Sequence, residues 1–306
     1  MKKILVIFIV LFLIINFNLS AHSGCAGHGG GFGEEGMTAG IEFGIDTVNH
    51  SDDRMPYLKG LLSYGTSFFN NAFDLYSEIN YTFGFKKRHI SHSHDHSQEH
   101  HEHSHDDDEA FPQSIYFNLM LGYNLGIGSE SKLSFILKNE FDEFIISPRE
   151  DEGNNIRGIF TPSVMFNHEF DSGDLYLETG FPITYIQEIK NAGLEAGFDF
   201  TVGWKSLYGF GVEMTLLSLL APNAGIDGLE FSAEYNLSSF YISVETLIPI
   251  KDMDHRGFDI APEIGFVFKS FTFFAKCGFY HIGNESEHLH ITPAAGFYFN
   301  FLRRHK

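Results

Sequence analysis

Residues 72–85 read AFDLYSEINYTFGF, and this stretch decides the fold class. Aromatic and aliphatic side chains occupy one set of alternate positions, whereas Asp74, Glu78, Asn80 and other polar or small residues occupy the positions between them. A period of two is typical of a β-strand that has one apolar and one polar face. The stretch therefore predicts a strand that separates an apolar environment from a polar one.

The same alternation recurs in segments of about ten residues from Met37 to Phe301, and helical spacing is nowhere sustained. Short turns alternate with longer, charged connections, so the two kinds of connection fall at opposite ends of the predicted sheet. We predict about fourteen strands, with twelve to sixteen compatible, near 38–46, 57–68, 72–85, 114–126, 132–142, 158–170, 174–185, 194–204, 208–217, 228–236, 240–249, 258–268, 271–280 and 290–301.

A soluble all-β protein would also show alternating strands, because one face of each sheet is then buried. Two features disfavour it: Phe, Leu, Ile and Tyr dominate the apolar face along all the predicted strands, and the other face is rich in Gly and acids. A closed barrel leaves no unpaired backbone groups in lipid. We therefore predict an all-β fold, a transmembrane antiparallel β-barrel over residues 37–301 with short periplasmic turns and long external loops.

This pattern resembles the general class of bacterial outer-membrane porins and channels, although no specific motif carries the resemblance. The resemblance implies location in the bacterial outer membrane, contact with outer-membrane lipid, and recognition of a terminal aromatic strand by the outer-membrane assembly machinery. Phe297, Phe299 and Phe301 alternate as that implies. The basic tail 302–306 that follows departs from the pattern.

The first 21 residues predict a secretory signal peptide, because Lys2 and Lys3 precede an unbroken apolar run that ends before small residues. We expect cleavage after Ala21. Residues 22–36 would then form a Gly- and His-rich periplasmic leader. Its His22, Cys25 and His28 are a possible small metal cluster, with a flexible leader of no function as the alternative.

The chain carries 40 acidic and 20 basic residues, for a formal net charge of −20. Nucleic acid is disfavoured as a partner, because phosphate binding requires Lys and Arg. Small cations are the expected partners. Two cysteines cannot provide a disulfide framework, so the fold must be held by other interactions.

The polar face of the predicted strands is expected to line the barrel interior. We expect only three basic residues on this face, Lys59, Lys138 and Lys276, against a much larger set of carboxylates. Such carboxylates along a water-filled path favour cations over anions. The alternative is that they pair with neighbours inside a filled barrel. The acids concerned are Glu42, Asp46, Asp74, Glu78, Glu140, Asp142, Glu178, Glu195, Asp199, Glu213, Glu230, Glu234, Glu245, Asp259 and Glu263.

The longest connection, residues 86–113, is a His-rich loop of low complexity. Imidazole and carboxylate groups bind zinc, copper and nickel, so we expect several exchangeable sites for divalent transition metal, with Zn²⁺ first and Cu²⁺ or Ni²⁺ possible. A solvated loop without metal is the alternative. Its candidate ligands are His89, His92, His94, His96, His100, His101, His103, His105, Asp106, Asp107 and Asp108.

Other histidines fall in or beside long loops and are possible rim ligands: His50, His255, His281, His288 and His290. His168, by contrast, falls near a short turn and is expected to be a hydrogen-bonded interfacial residue. In composition the His-rich loop is similar to loops of zinc transporters and of zinc-acquiring outer-membrane receptors. That similarity transfers no particular ligand.

These features together predict a cation-preferring outer-membrane channel whose external loop binds zinc for uptake. One alternative is a barrel-anchored protein that sequesters metal or contacts another surface without transport. We expect no enzymatic activity, because no Ser, His and acid set or distinctive acid pair is evident. A porin for hydrophobic solutes is disfavoured by the acidic interior.

Overall fold

The computed structural model describes residues 36–47, 54–85, 88–89, 109–146, 156–187, 192–219, 225–237, 239–250, 257–283 and 289–301. The predicted signal peptide, nearly all of the leader, most of the His-rich loop and the basic tail lie outside these residues. The signal peptide, the leader, the metal sites of the loop and the tail therefore stay predictions.

The period-two segments form the strands of one large antiparallel sheet. In chain order they are β1 (Gly36–Thr47), β2 (Arg54–Phe68), β3 (Phe73–Gly84), β4 (Gln113–Gly126), β5 (Ser131–Ile146), β6 (Ile156–Phe170), β7 (Gly173–Gly180 and Ile183–Gln187), β8 (Ala192–Ser206), β9 (Phe210–Leu219), β10 (Gly225–Asn236), β11 (Phe240–Pro249), β12 (Phe258–Phe268), β13 (Phe271–Ile282) and β14 (His290–Phe301).

The sheet closes into a barrel, because β14 pairs back with β1. The closing ladder runs from Met37 opposite Phe301 to Gly44 opposite Ala294. Closure removes the free edges, so every strand has a hydrogen-bonded neighbour on both sides. The predicted fourteen-stranded antiparallel barrel is confirmed, and the predicted strand ends agree with the structure to within four residues.

Strand β7 is interrupted, whereas the sequence predicts a continuous strand. Its two segments are separated by Phe181 and Pro182, and both segments pair with β6 and β8. Pro182 has no amide hydrogen to donate, which breaks the ladder at this point. The amide of Phe181 donates to the carbonyl of Pro162 at 3.0 Å, so the two segments act as one strand of the barrel.

Connections between consecutive strands fall at two ends of the barrel. One end carries the short turns 69–72, 127–130, 171–172, 207–209, 237–239 and 269–270. The segments 48–53, 85–112, 147–155, 188–191, 220–224, 250–257 and 283–289 connect strands at the other end, which we call the rim. An even-stranded closed barrel with short turns at one end has the architecture of bacterial outer-membrane barrels.

A two-residue ladder extends from the rim between β3 and β4. Arg88 pairs with Ala110, and His89 pairs with Glu109. The ladder places residues 89 and 109 opposite each other, so the segment 90–108 begins and ends at the same point above the rim.

The outward face of the barrel is apolar and exposed. Phe43 is 53% exposed, Phe135 is 47% exposed and Ile242 is 47% exposed, although they lie on strands far apart around the barrel. Exposure of so wide an apolar surface to water would be strongly unfavourable, whereas contact with the apolar chains of lipid is not. The chain is therefore a transmembrane barrel, in agreement with location in the outer membrane. Within the described residues no helix is long and apolar enough to span a bilayer.

The interior is polar but unevenly filled. Glu42 is 6% exposed although Ile41 and Phe43 beside it are about half exposed, which identifies the face of Glu42 as the interior. Most of the buried side chains lie on β1–β5 and on β13–β14. Tyr298 stacks on Phe274 with the ring centroids 4.7 Å apart, and Tyr241 joins this cluster. One side of the interior is therefore packed.

Candidate functional site

Directly opposed residues of an antiparallel pair share a face, so the register around the barrel identifies the inward positions. Every acid predicted to face the interior falls on this inward set, although the side chain of Asp46 lies outside the described residues. The expectation that only three basic residues oppose them was wrong. Lys132, Arg157 and Lys205 also occupy inward positions, at or near strand ends.

Two ion pairs inside the barrel each span a strand. The ammonium of Lys276 on β13 lies 2.6 Å from the Glu42 carboxylate on β1, and the hydroxyl of Tyr57 donates to the same carboxylate at 2.7 Å. The ammonium of Lys138 on β5 lies 2.7 Å from Glu178 on β7. Glu42 and Glu178 are therefore paired, which agrees with the alternative that the acids pair with neighbours inside a filled barrel.

Three of the inward carboxylates accept a hydrogen bond from a tyrosine that lies across a glycine on the neighbouring strand. Tyr57 covers Gly44 and donates to Glu42, Tyr176 covers Gly203 and donates to Glu213, and Tyr241 covers Gly265 and donates to Glu263. A side chain at any of the three glycines would collide with the tyrosine ring. The glycines therefore let each ring lie flat against the wall, where its hydroxyl reaches an acid.

Two further acids are held by hydrogen bonds on the packed side. Asp74 accepts from Ser67 at 2.6 Å and from Asn124 at 2.6 Å, and Asn124 in turn accepts from Ser134. Glu78 accepts from Tyr76 at 2.6 Å and from a second neighbour on its own strand. Their arrangement is that of a structural network, because both carboxylate oxygens of Asp74 and of Glu78 already have a donor.

A second group of inward-facing acids, most of them on β8–β11, has no such partners in the described residues. Among the described residues none of these side chains makes a hydrogen bond or an ion pair, and those of Glu195, Glu230 and Glu245 are exposed inside the barrel. Glu140 on β5 likewise makes no hydrogen bond or ion pair among the described residues. We call the members on β8–β11 the acidic wall, and they are Glu195, Asp199, Glu230, Glu234 and Glu245.

Most of the inward-facing basic residues lie on strands other than β8–β11. In the described part of β8–β11, Lys205 is the one inward-facing basic residue, and it lies at the short-turn end of β8. Lys59, Lys138 and Lys276 lie on β2, β5 and β13. Unpaired carboxylates that face water raise the local concentration of cations and repel anions. The wall is therefore chemically suited to cations.

Most of the predicted metal ligands lie outside the described residues, including all of the His-rich loop between residues 90 and 108. The same holds for the leader residues His22, Cys25 and His28, and for His50, His255 and His288 at the rim. Within the described ranges, no group of three or more His, Cys, Asp or Glu side chains is arranged to hold a metal ion.

The structure brings together two of the predicted rim histidines. The ring centroids of His281, near the end of β13, and His290, at the start of β14, are 5.4 Å apart. The backbone amide of His281 donates to a carboxylate oxygen of Asp259 at 2.9 Å. Spacing in the sequence does not reveal this contact, because it depends on a register shift between β12 and β13.

His168 lies at the opposite end of the barrel and faces outward. Its Nδ1 is 2.8 Å from the hydroxyl of Ser131, and its ring lies edge-on to Phe170 with the centroids 4.3 Å apart. The hydrogen bond and the aromatic neighbours are those expected of an interfacial histidine. No acid is seen hydrogen-bonded to His168 in the described residues.

Comparisons with known proteins find no matching family model and no matching curated protein. Solved structures that are similar in backbone include the Pseudomonas putida toluene transporter TodX (TM-score 0.45, 8% identity, covering 87% of this chain and 89% of that one). A porin mutant of Rh. blastica has a TM-score of 0.37 and 8% identity, covering 87% of this chain and 99% of that one. Outer membrane phospholipase A from Escherichia coli has a TM-score of 0.43 and 8% identity, covering 87% and 93%. At these identities no residue role can be carried over from one chain to another.

Proposed function

We propose that this protein is a passive, cation-preferring channel of the outer membrane, and that its His-rich external loop collects divalent transition metal for uptake. The observation that carries the proposal is the acidic wall. Its five carboxylates on β8–β11 make no hydrogen bonds or ion pairs in the described residues, while Glu42, Asp74 and Glu78 on the packed side of the interior are paired and most of the bases lie on that side.

The channel needs no covalent chemistry. The ladder of Arg88–His89 with Glu109–Ala110 sets both ends of the segment 90–108 at the rim, so metal bound by its histidines is released beside the barrel mouth. Many weak sites exchange ions faster than one closed tetrahedral site, and the carboxylates of the wall attract the released ion inward. Zinc is the metal we expect, since imidazole is among its usual ligands.

The test is the conductance of the purified protein in planar bilayers, with and without zinc. In the matched variant a short Gly and Ser turn replaces residues 90–108 and the ladder is retained, so that the barrel itself is unchanged. We expect both proteins to conduct potassium, and the complete protein to respond at a lower zinc concentration than the variant, which lacks the ligands of the loop. Anion preference in both proteins, or an equal zinc response in both, would refute the coupling of loop and channel.

A barrel that only anchors a metal-sequestering loop is the second candidate, favoured by the packed side of the interior. The cluster of Tyr241, Phe274 and Tyr298, with Leu61 against it, fills space near the short-turn end. This candidate predicts that the complete protein binds zinc in calorimetry but conducts no ions. The same two proteins therefore distinguish the two functions.

A further inference from the structure

At the rim, a bulge sets two histidines side by side on the inner face of the barrel. Phe258 pairs with Ile282 and Ile260 pairs with Phe279, so the two residues 280 and 281 of β13 face the single residue Asp259 of β12. A bulge of this kind turns a side chain away from its regular direction. Here it brings the ring of His281 against that of His290.

The position of His281 is fixed by its neighbours. Its φ is +60°, a left-handed conformation that non-glycine residues rarely adopt. The hydrogen bond from its amide to Asp259 holds this conformation. Gly257 packs so closely that an added Cβ would lie 2.6 Å from the His281 carbonyl carbon. Strain that several contacts maintain is characteristic of functional positions.

The distance between the two rings matches a shared metal ion. With metal–nitrogen bonds of about 2.0–2.1 Å and a tetrahedral angle, the centroids of two ligating imidazoles lie about 5 Å apart. The observed separation is 5.4 Å, and the planes are inclined by 77°. His290 is 8% exposed and directly opposes Tyr280, so it lies on the inward face of β14.

We propose that His281 and His290 together bind one divalent transition metal ion at the inner mouth of the barrel, with water completing its coordination. The proposal rests on the channel function and deepens it, because it names the first fixed site between the rim loop and the acidic wall. Two protein ligands hold an ion more weakly than the three or four of catalytic and structural sites. An ion that must pass on requires such weak binding.

The site is tested by the carbethoxylation of individual histidines in the complete detergent-solubilised protein, followed by peptide mass spectrometry. At free zinc ten times the dissociation constant, the reaction rate of His281 should fall about tenfold, since the unoccupied fraction falls by that factor. In a His290→Ala variant His281 should lose this protection. His168, at the opposite end, serves as an internal control whose rate should not change.

The readout separates this proposal from the channel proposal, because it reports each histidine without requiring conduction. Unchanged reactivity of His281 in zinc would overturn the site. Protection of His281 that persists in His290→Ala would also overturn it, since a shared ion requires both rings. Protection without any cation conductance would leave the site intact and refute the channel.

Discussion

Replacing Lys276 with Met should destabilise the barrel strongly, because it leaves Glu42 buried without its cation. The Glu42 side chain is 7% exposed, and that of Lys276 is 20% exposed. Removing one partner of a buried ion pair costs about 3–5 kcal/mol. Lys59 directly opposes Glu42, and its charge remains. We therefore expect a loss at the lower end, about 3 kcal/mol, or about a hundredfold in the unfolding equilibrium constant.

Lys138→Met provides the matched control, because it removes a pair of the same chemistry that is nearer to water. The side chains of Lys138 and Glu178 are 30% and 15% exposed, and the distance between their charged atoms is 2.7 Å. The hydroxyl of Ser163 also donates to Glu178 and stays in place. We expect a loss of about 1 kcal/mol, close to the range of exposed pairs.

Urea unfolding in phospholipid vesicles measures both losses, and Trp204, the single tryptophan, reports the transition by its fluorescence. A double variant, Lys276→Met with Glu42→Gln, should recover most of the lost stability, because it removes the uncompensated charge while Tyr57 can still donate to the amide oxygen. If Lys276→Met costs no more than Lys138→Met, or if the double variant recovers nothing, the description of Glu42 as a buried, charge-paired acid is wrong.

Three further predictions concern the acidic wall, the tyrosine contacts and the loop. Replacing Glu230 or Glu245 with Gln should lower the potassium over chloride permeability ratio about fivefold for each charge, since a unit charge about 8 Å away in water favours potassium and disfavours chloride by about 0.5 kcal/mol each; bilayer reversal potentials measure it, and an unchanged ratio would contradict the assignment. Gly203→Ala should destabilise by about 1–3 kcal/mol through overpacking against Tyr176, whereas Tyr176→Phe should cost only about 1 kcal/mol; equal, negligible losses in urea unfolding would argue against the contact. Zinc binding by the complete protein should weaken as the pH falls below about 6.5, because imidazoles then protonate; calorimetric affinity that is independent of pH between 5 and 7.5 would exclude histidine ligands.

The strands and their faces could be predicted from the sequence because the signal is local. Along 72–85 most side chains on the lipid side are apolar and most on the interior side are polar or small. This alternation is visible in the sequence without knowledge of any distant contact. The interruption of β7 was missed although Pro182 signals it, because alternation continues across the break. Arg157 and Lys205 were missed because they lie just beyond the predicted strand ends.

The partition of the acids could not be predicted, because it depends on register between strands that are not neighbours. Tyr176 reaches Glu213 across β8, and Lys276 reaches Glu42 across β14. Alternation shows that these residues face inward but not which of them meet. The contact of His281 with His290 depends on one bulge, which shifts the register locally and leaves no period in the sequence.

We propose that unpaired carboxylates make the interior a path for cations. The most direct test is the reversal potential of single channels of the complete protein under a tenfold potassium chloride gradient, without zinc. We predict a potential of the sign set by potassium, approaching about 59 mV in magnitude for complete selectivity. A potential of the opposite sign, a value near zero, or a barrel that conducts no current would contradict the claim.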